Sequence, residues 1–108
     1  MFAVVRVLKD DGETAVYRIS GQIFFASVER FTRAFQAKET ARRVVIDMTD
    51  AHFWDISGVG ALDKVVERMR RNGRSVQVVG LNRASSDLVD KFALTDKTGV
   101  EIGLAPHP

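Results

Sequence analysis

The alternation of apolar and polar positions changes character at intervals along this chain, and each change marks an element. Residues 2–8, "FAVVRVL", are apolar and β-branched, "KDDGE" interrupts them, and "TAVYRIS" at 14–20 resumes the same pattern. Two such runs around an Asp-Gly pair predict a β-hairpin with Asp11 and Gly12 at its turn. Gly21 breaks the pattern. From 26 to 37 the spacing of Val28, Phe31 and Phe35 is helical, with Glu29, Arg30 and Arg33 between them. Ser27 is placed to cap this helix, and Phe24 and Phe25 read as core anchors in its approach.

"RRVVIDM", 42–48, is a short apolar run that suits a strand buried on both faces. "TDAHFWD" then reads as a loop leading to a second helix over 57–71. Val59, Leu62, Val66 and Met69 form its inner stripe, and Asn72-Gly73 ends it. "SVQVVG" is another strand. A third amphipathic helix is expected over 81–94, capped by Asn82, with Ala84, Leu88 and Phe92 inward, and a last short strand near 100–104. Strands alternating with helices call for an α/β fold. The sheet is mixed but mostly parallel, of four to five strands, with an opening hairpin and three or more helices.

Composition narrows this picture without redirecting it. A chain of 108 residues, 45% hydrophobic and 28% charged with two prolines, is the size and makeup of one globular domain, 1–108. The absence of cysteine removes disulfides and thiolate metal sites. Residues 1–54 and 55–108 each carry eight basic and seven acidic side chains, so the net charge of +2 points to no polyelectrolyte. The one local excess, Arg68, Arg70, Arg71 and Arg74, falls where a helix end favours cations, and no nucleic-acid reader motif accompanies it. No apolar run reaches the roughly 20 residues that span a bilayer. The chain reads as cytoplasmic, on its own or as the cytosolic piece of an inner-membrane protein.

Candidate chemistry concentrates in "HFWDISGVG", 52–60. Ser57, His52 and Asp47 or Asp55 are the only serine-hydrolase candidates, and the G-x-S-x-G elbow is missing, so no catalytic residue is assigned. "GVGALD" begins like a dinucleotide fingerprint, yet Asp63 stands where the third glycine belongs; weak ATP or GTP binding is the most it supports, and no cofactor is required. Asp47, Asp50 and Asp55 near strand ends read as loop caps rather than a metal site. Ser57 is a favoured helix cap, worth about 1 kcal/mol over alanine. At the positive end of a helix it is also placed for a phosphate, which would add about two negative charges to a docking surface. Gly58 and Gly60, poor helix formers in a first turn, predict a close approach to the backbone there.

The segment "VVIDMTDAHFWDISGVGALDKV" resembles the signature of the STAS domain, shared by sulfate transporters and anti-sigma factor antagonists. The D-[ST]-[ST]-G-[LIV]-G pattern of the antagonists falls on Asp55, Ile56, Ser57, Gly58, Val59 and Gly60, with Ile56 departing from the usual hydroxyl residue. The resemblance implies the STAS fold and a regulatory, non-enzymatic role in protein binding. It makes Ser57 the phosphoacceptor candidate. Asp50, Asp55, Ile56, Gly58, Val59 and Gly60 become candidate contacts for a partner or a nucleotide. "VYRISGQIFFASVERF", Phe53-Trp54 and Leu81-Asn82 resemble the domains of bacterial SulP-type anion permeases, which implies the cytoplasmic module of a sulfate or anion transporter. The partner is then the membrane part of a permease. For a stand-alone antagonist switched by serine phosphorylation it is an anti-sigma factor kinase.

Overall fold

The computed structural model describes residues 1–35, 38–86 and 88. A β-strand at Phe2–Lys9 (β1) turns through a short 3-10 segment, Asp10–Gly12, into a second at Thr14–Ile23 (β2). Asp10 and Asp11 both adopt positive φ, a conformation that aspartate tolerates better than most side chains, and Thr14 donates its hydroxyl to Asp10 Oδ2 at 3.0 Å. A 3-10 turn at Phe25–Ser27 leads into helix α1, Val28–Arg33. Strand β3 is Arg43–Phe53, helix α2 is Ile56–Arg71, strand β4 is Ser75–Val79 and helix α3 is Leu81–Ala84.

The four strands lie in the order β1-β2-β3-β4, antiparallel between β1 and β2 and parallel thereafter, as the sequence implied. Both parallel crossovers step the same way along the sheet, so a right-handed hand puts α1 and α2 side by side on one face, where they touch. Tyr17, Ile19, Ile23, Phe31, Val44, Ile46, Met48, Phe53, Val65 and Met69 fill the space between them and the sheet. The fifth strand expected near 100–104, and the later part of the helix expected over 81–94, including Phe92, lie outside the described residues.

Three local expectations change. Strand β3 is not a short strand buried on both faces. Val44, Ile46 and Met48 are buried while Val45 and Asp47 between them are partly open, so it alternates. It also runs five residues further, because a bulge resets its phase. Arg18 faces Asp47 and Ser20 faces Asp50, leaving Met48 and Thr49 against Ile19, after which Ala51 and Phe53 are the buried positions. Ser27 does stand at the N-cap position of α1, but its hydroxyl caps no N–H of that helix; it bonds back to both the N–H and the C=O of Phe24 at 3.1 Å, in the preceding 3-10 turn. Asn82 does not cap α3 either. Gly80 occupies that position at φ +76°, and a Cβ there would stand 2.5 Å from the Thr49 nitrogen.

The exit from α2 follows the sequence closely. Gly73, at φ +87°, donates to the Arg70 carbonyl at 2.9 Å and Arg74 donates to the Met69 carbonyl at 3.1 Å, the paired bonds of a Schellman end. Near this end lies the one deeply buried acid among the described residues. Glu39, 2% exposed, accepts from Arg6 Nε at 2.9 Å and Nη2 at 2.7 Å, from the Ala41 N–H at 2.9 Å, and from the Tyr17 hydroxyl. The Arg74 guanidinium donates to its backbone carbonyl. Arg6 lies on edge strand β1, so this cluster fastens the sheet edge to the loop before β3.

Candidate functional site

Helix α2 starts where β3 ends, and the residue that starts it is Asp55. Its backbone is extended (φ −153°, ψ 175°) and its Oδ1 accepts the Ser57 N–H at 2.9 Å, which makes Asp55 the N-cap and corrects the assignment of that role to Ser57. Both residue types favour the position. The carboxylate adds attraction to the positive helix end, and its Oδ2 also accepts the Phe25 N–H at 3.0 Å. One side chain therefore binds the head of α2 to the turn after β2. Ser57 sits in the first turn, half-buried, and its hydroxyl makes no hydrogen bond among the described residues.

The two glycines separate into different jobs. A Cβ on Gly58 would lie 2.6 Å from Phe53 Cδ1 and 2.9 Å from Ile23 Cγ2, so the close approach predicted here comes from the protein's own core. Gly60 has nothing within 4 Å of the same construction and faces open space. Val59 is partly buried against the core. Around Ser57 the surface is apolar: Ile56 is 68% exposed, Phe25 72%, and Trp54 is also open. Phe25 is not the core anchor the sequence suggests: it packs edge-on against half-buried Phe24 at 5.9 Å and presents its ring to solvent.

Other candidates lie elsewhere. Asp50 and His52 alternate with buried Ala51 and Phe53, which places them on the sheet face away from α2, so neither joins Ser57. Asp47 lies earlier on that same face. Its carboxyl is held below the usual range by the side-chain and backbone donors of Thr49, with a smaller contribution from the Arg18 charge. Among the described residues no three His, Asp or Glu side chains gather closely enough to hold a metal ion, and no helix is long and apolar enough to cross a membrane.

Comparison with known proteins fits this geometry. Residues 5–105 match the family model for the STAS domain. The chain is 46% identical over 84 residues to the putative sulfate transporter YbaR of Bacillus subtilis (strain 168), an alignment covering 78% of this chain but 18% of that protein. The chain thus spans about a fifth of that relative. The crystal structure of an antisigma-factor antagonist STAS domain from Rhodobacter sphaeroides superposes with a TM-score of 0.76 at 50% identity, covering 79% of this chain and 92% of that one. A sulfate transporter family protein from Wolinella succinogenes shares the fold at a TM-score of 0.55 and 21% identity, over 86% and 75% of the two chains. With its strand order, its hairpin and the Asp55-to-Gly60 turn all in place, the chain belongs to the STAS family.

Proposed function

We propose that this domain is a non-catalytic regulatory module that binds a protein partner, and that it works as the cytoplasmic part of a SulP-type sulfate or anion transporter. The likeness to YbaR carries this reading, because the matched part is about a fifth of a protein named as a sulfate transporter. The partner is then the membrane portion of the same transporter, met by the surface that Phe25, Trp54 and Ile56 make around Ser57. Translating the reading frame upstream of Met1 tests this directly. About ten or more apolar spans are expected; an in-frame stop just upstream of a native start would overturn it.

A second reading has its own support. The Rhodobacter sphaeroides structure is described as an antisigma-factor antagonist, and the Ser57 hydroxyl is uncommitted at the head of a helix. On this reading Ser57 accepts phosphate from an anti-sigma factor kinase, and the added charge at an apolar surface releases the partner. Incubation with such a kinase, followed by mass spectrometry, should place phosphate on Ser57 and on no residue of a Ser57→Ala chain. Neither reading requires a cofactor. Weak ATP or GTP binding at the start of α2 remains a separate proposal, and titration calorimetry with each nucleotide tests it.

A further inference from the structure

Beside Ser57, a groove of about 900 Å³ runs between α1 and α2. Its α2 wall is set by helical spacing: Ser57, Gly60, Ala61, Lys64 and Arg68 recur three, four, seven and eleven positions on and share one face. The other wall mixes apolar Phe25, Val28 and Phe35 with Glu29, Thr32 and Arg33. Gly60 and Ala61 leave the floor low, and the space above Gly60 is empty.

The charges in the groove are unequal. Glu29 and Arg33, on α1, pair with each other at 3.1 Å. Lys64 and Arg68 have no acidic partner among the described residues, and Arg68 Nη2 is closed off from solvent without a hydrogen-bond partner. Asp63 and Glu67 line a different hollow with Arg70 and Arg71. Lys64 is exposed and Arg68 half-buried in the groove wall, so both present positive charge to an anion in the groove, and charge-assisted hydrogen bonds to such groups are the strong ones. Small-molecule sites have this size and makeup, mostly apolar with a few placed polar groups.

We infer that the groove binds a single-chain amphiphilic anion, its apolar chain lying over Gly60 and Ala61 against Phe25 and Val28, and its phosphate or carboxylate head held by Lys64 and Arg68. The inference does not depend on phosphorylation of Ser57 or on the identity of the protein partner.

The probe is n-dodecyl phosphate below its micellar concentration, titrated into the 108-residue chain by calorimetry and by amide NMR. Saturable one-to-one binding is expected, with shifts centred on residues 57–68, at least tenfold tighter than dodecanol, and no measurable binding of inorganic phosphate. Arg68→Gln should weaken dodecyl phosphate at least tenfold and leave dodecanol unchanged. Gly60→Leu, which fills open space rather than the core, should weaken both at least tenfold while the thermal melt shows the chain still folded. Binding unaffected by Gly60→Leu, inorganic phosphate binding as well as dodecyl phosphate, or capture by anionic vesicles alone would each overturn the inference.

Discussion

Replacing Glu39 by glutamine should cost this small domain a large part of its stability, in a way that pH can isolate. The hydrogen bonds from Arg6 hold the Glu39 carboxyl at about 2 against an ordinary 4.5; burial opposes this, and the Tyr17 hydroxyl and the Ala41 N–H add to the depression. At about 1.4 kcal/mol per tenfold change in proton affinity, that difference is worth about 3 kcal/mol at neutral pH. A domain of this length has on the order of 5–15 kcal/mol in total. The side chain of Arg6 is 22% exposed, so water recovers part of its interaction when the charge is lost, and about 2–3 kcal/mol is the expected deficit.

The sign follows from the depressed value. The contribution is complete above pH 4.5 and is lost as pH falls through about 2. Urea unfolding followed by far-UV circular dichroism, on the parent and Glu39→Gln, measures the difference without added ions. The gap should be about 2–3 kcal/mol at pH 7 and under about 1 kcal/mol at pH 2.5. Other carboxylates, Asp47 among them, titrate in both chains and drop out of the difference. A gap below about 0.5 kcal/mol at pH 7, or one that stays the same at both pH values, would refute the argument.

Gly58 and Gly60 should respond to alanine with opposite signs. Gly58→Ala puts a methyl into Phe53 and Ile23 and should lower stability by about 1–3 kcal/mol despite the better helix former, whereas Gly60→Ala, in open space, should raise it by about 0.5–1 kcal/mol; urea midpoints at unchanged m-value decide both. Asp55→Ala removes the cap and the tie to Phe25, and should cost about 1–2 kcal/mol. Ser57→Ala should change stability by less than about 0.5 kcal/mol, and a larger loss would show that the hydroxyl does structural work.

What could be read from the sequence was whatever is local. The hairpin, the α2 stripe and the Asn72-Gly73 exit depend on residues a few positions apart, and each is in place. Strand β3 runs five residues beyond its legible pattern because its bulge shifts the alternation midway, so "TDAHF" looks like a polar loop although Ala51 and Phe53 are fully buried. Asp55 and Ser57 are both good caps two residues apart, and residue type alone does not choose between them; the Phe25 N–H, thirty positions away, engages the one that does the capping. Nothing in "AKETA" marks Glu39 as buried, because its partner Arg6 is thirty-three positions distant. Phe25 looks like any core aromatic until the turn around it is known.

The cap assignment bears on how a phosphate at Ser57 would act. Had Ser57 been the cap, phosphorylation would have altered the hydroxyl that holds the first turn, and any switch would have been tangled with fraying of α2. With Asp55 in that role the modified oxygen is free, and the helix keeps its cap. The phosphate would sit in the first turn of a 16-residue helix, where the dipole favours negative charge by about 0.3–1 kcal/mol. The Asp55 carboxylate, two residues earlier, repels it by a comparable amount. The two effects offset, so the modification should change the charge of the Phe25–Ile56 surface and leave the fold alone. A chain carrying phosphoserine at 57 should therefore differ from the unmodified one by less than about 1 kcal/mol in urea, with the same helical circular dichroism. A loss of helical signal, or of amide protection in the first two turns of α2, would mean that the phosphate acts by melting the helix and that the cap does not insulate it.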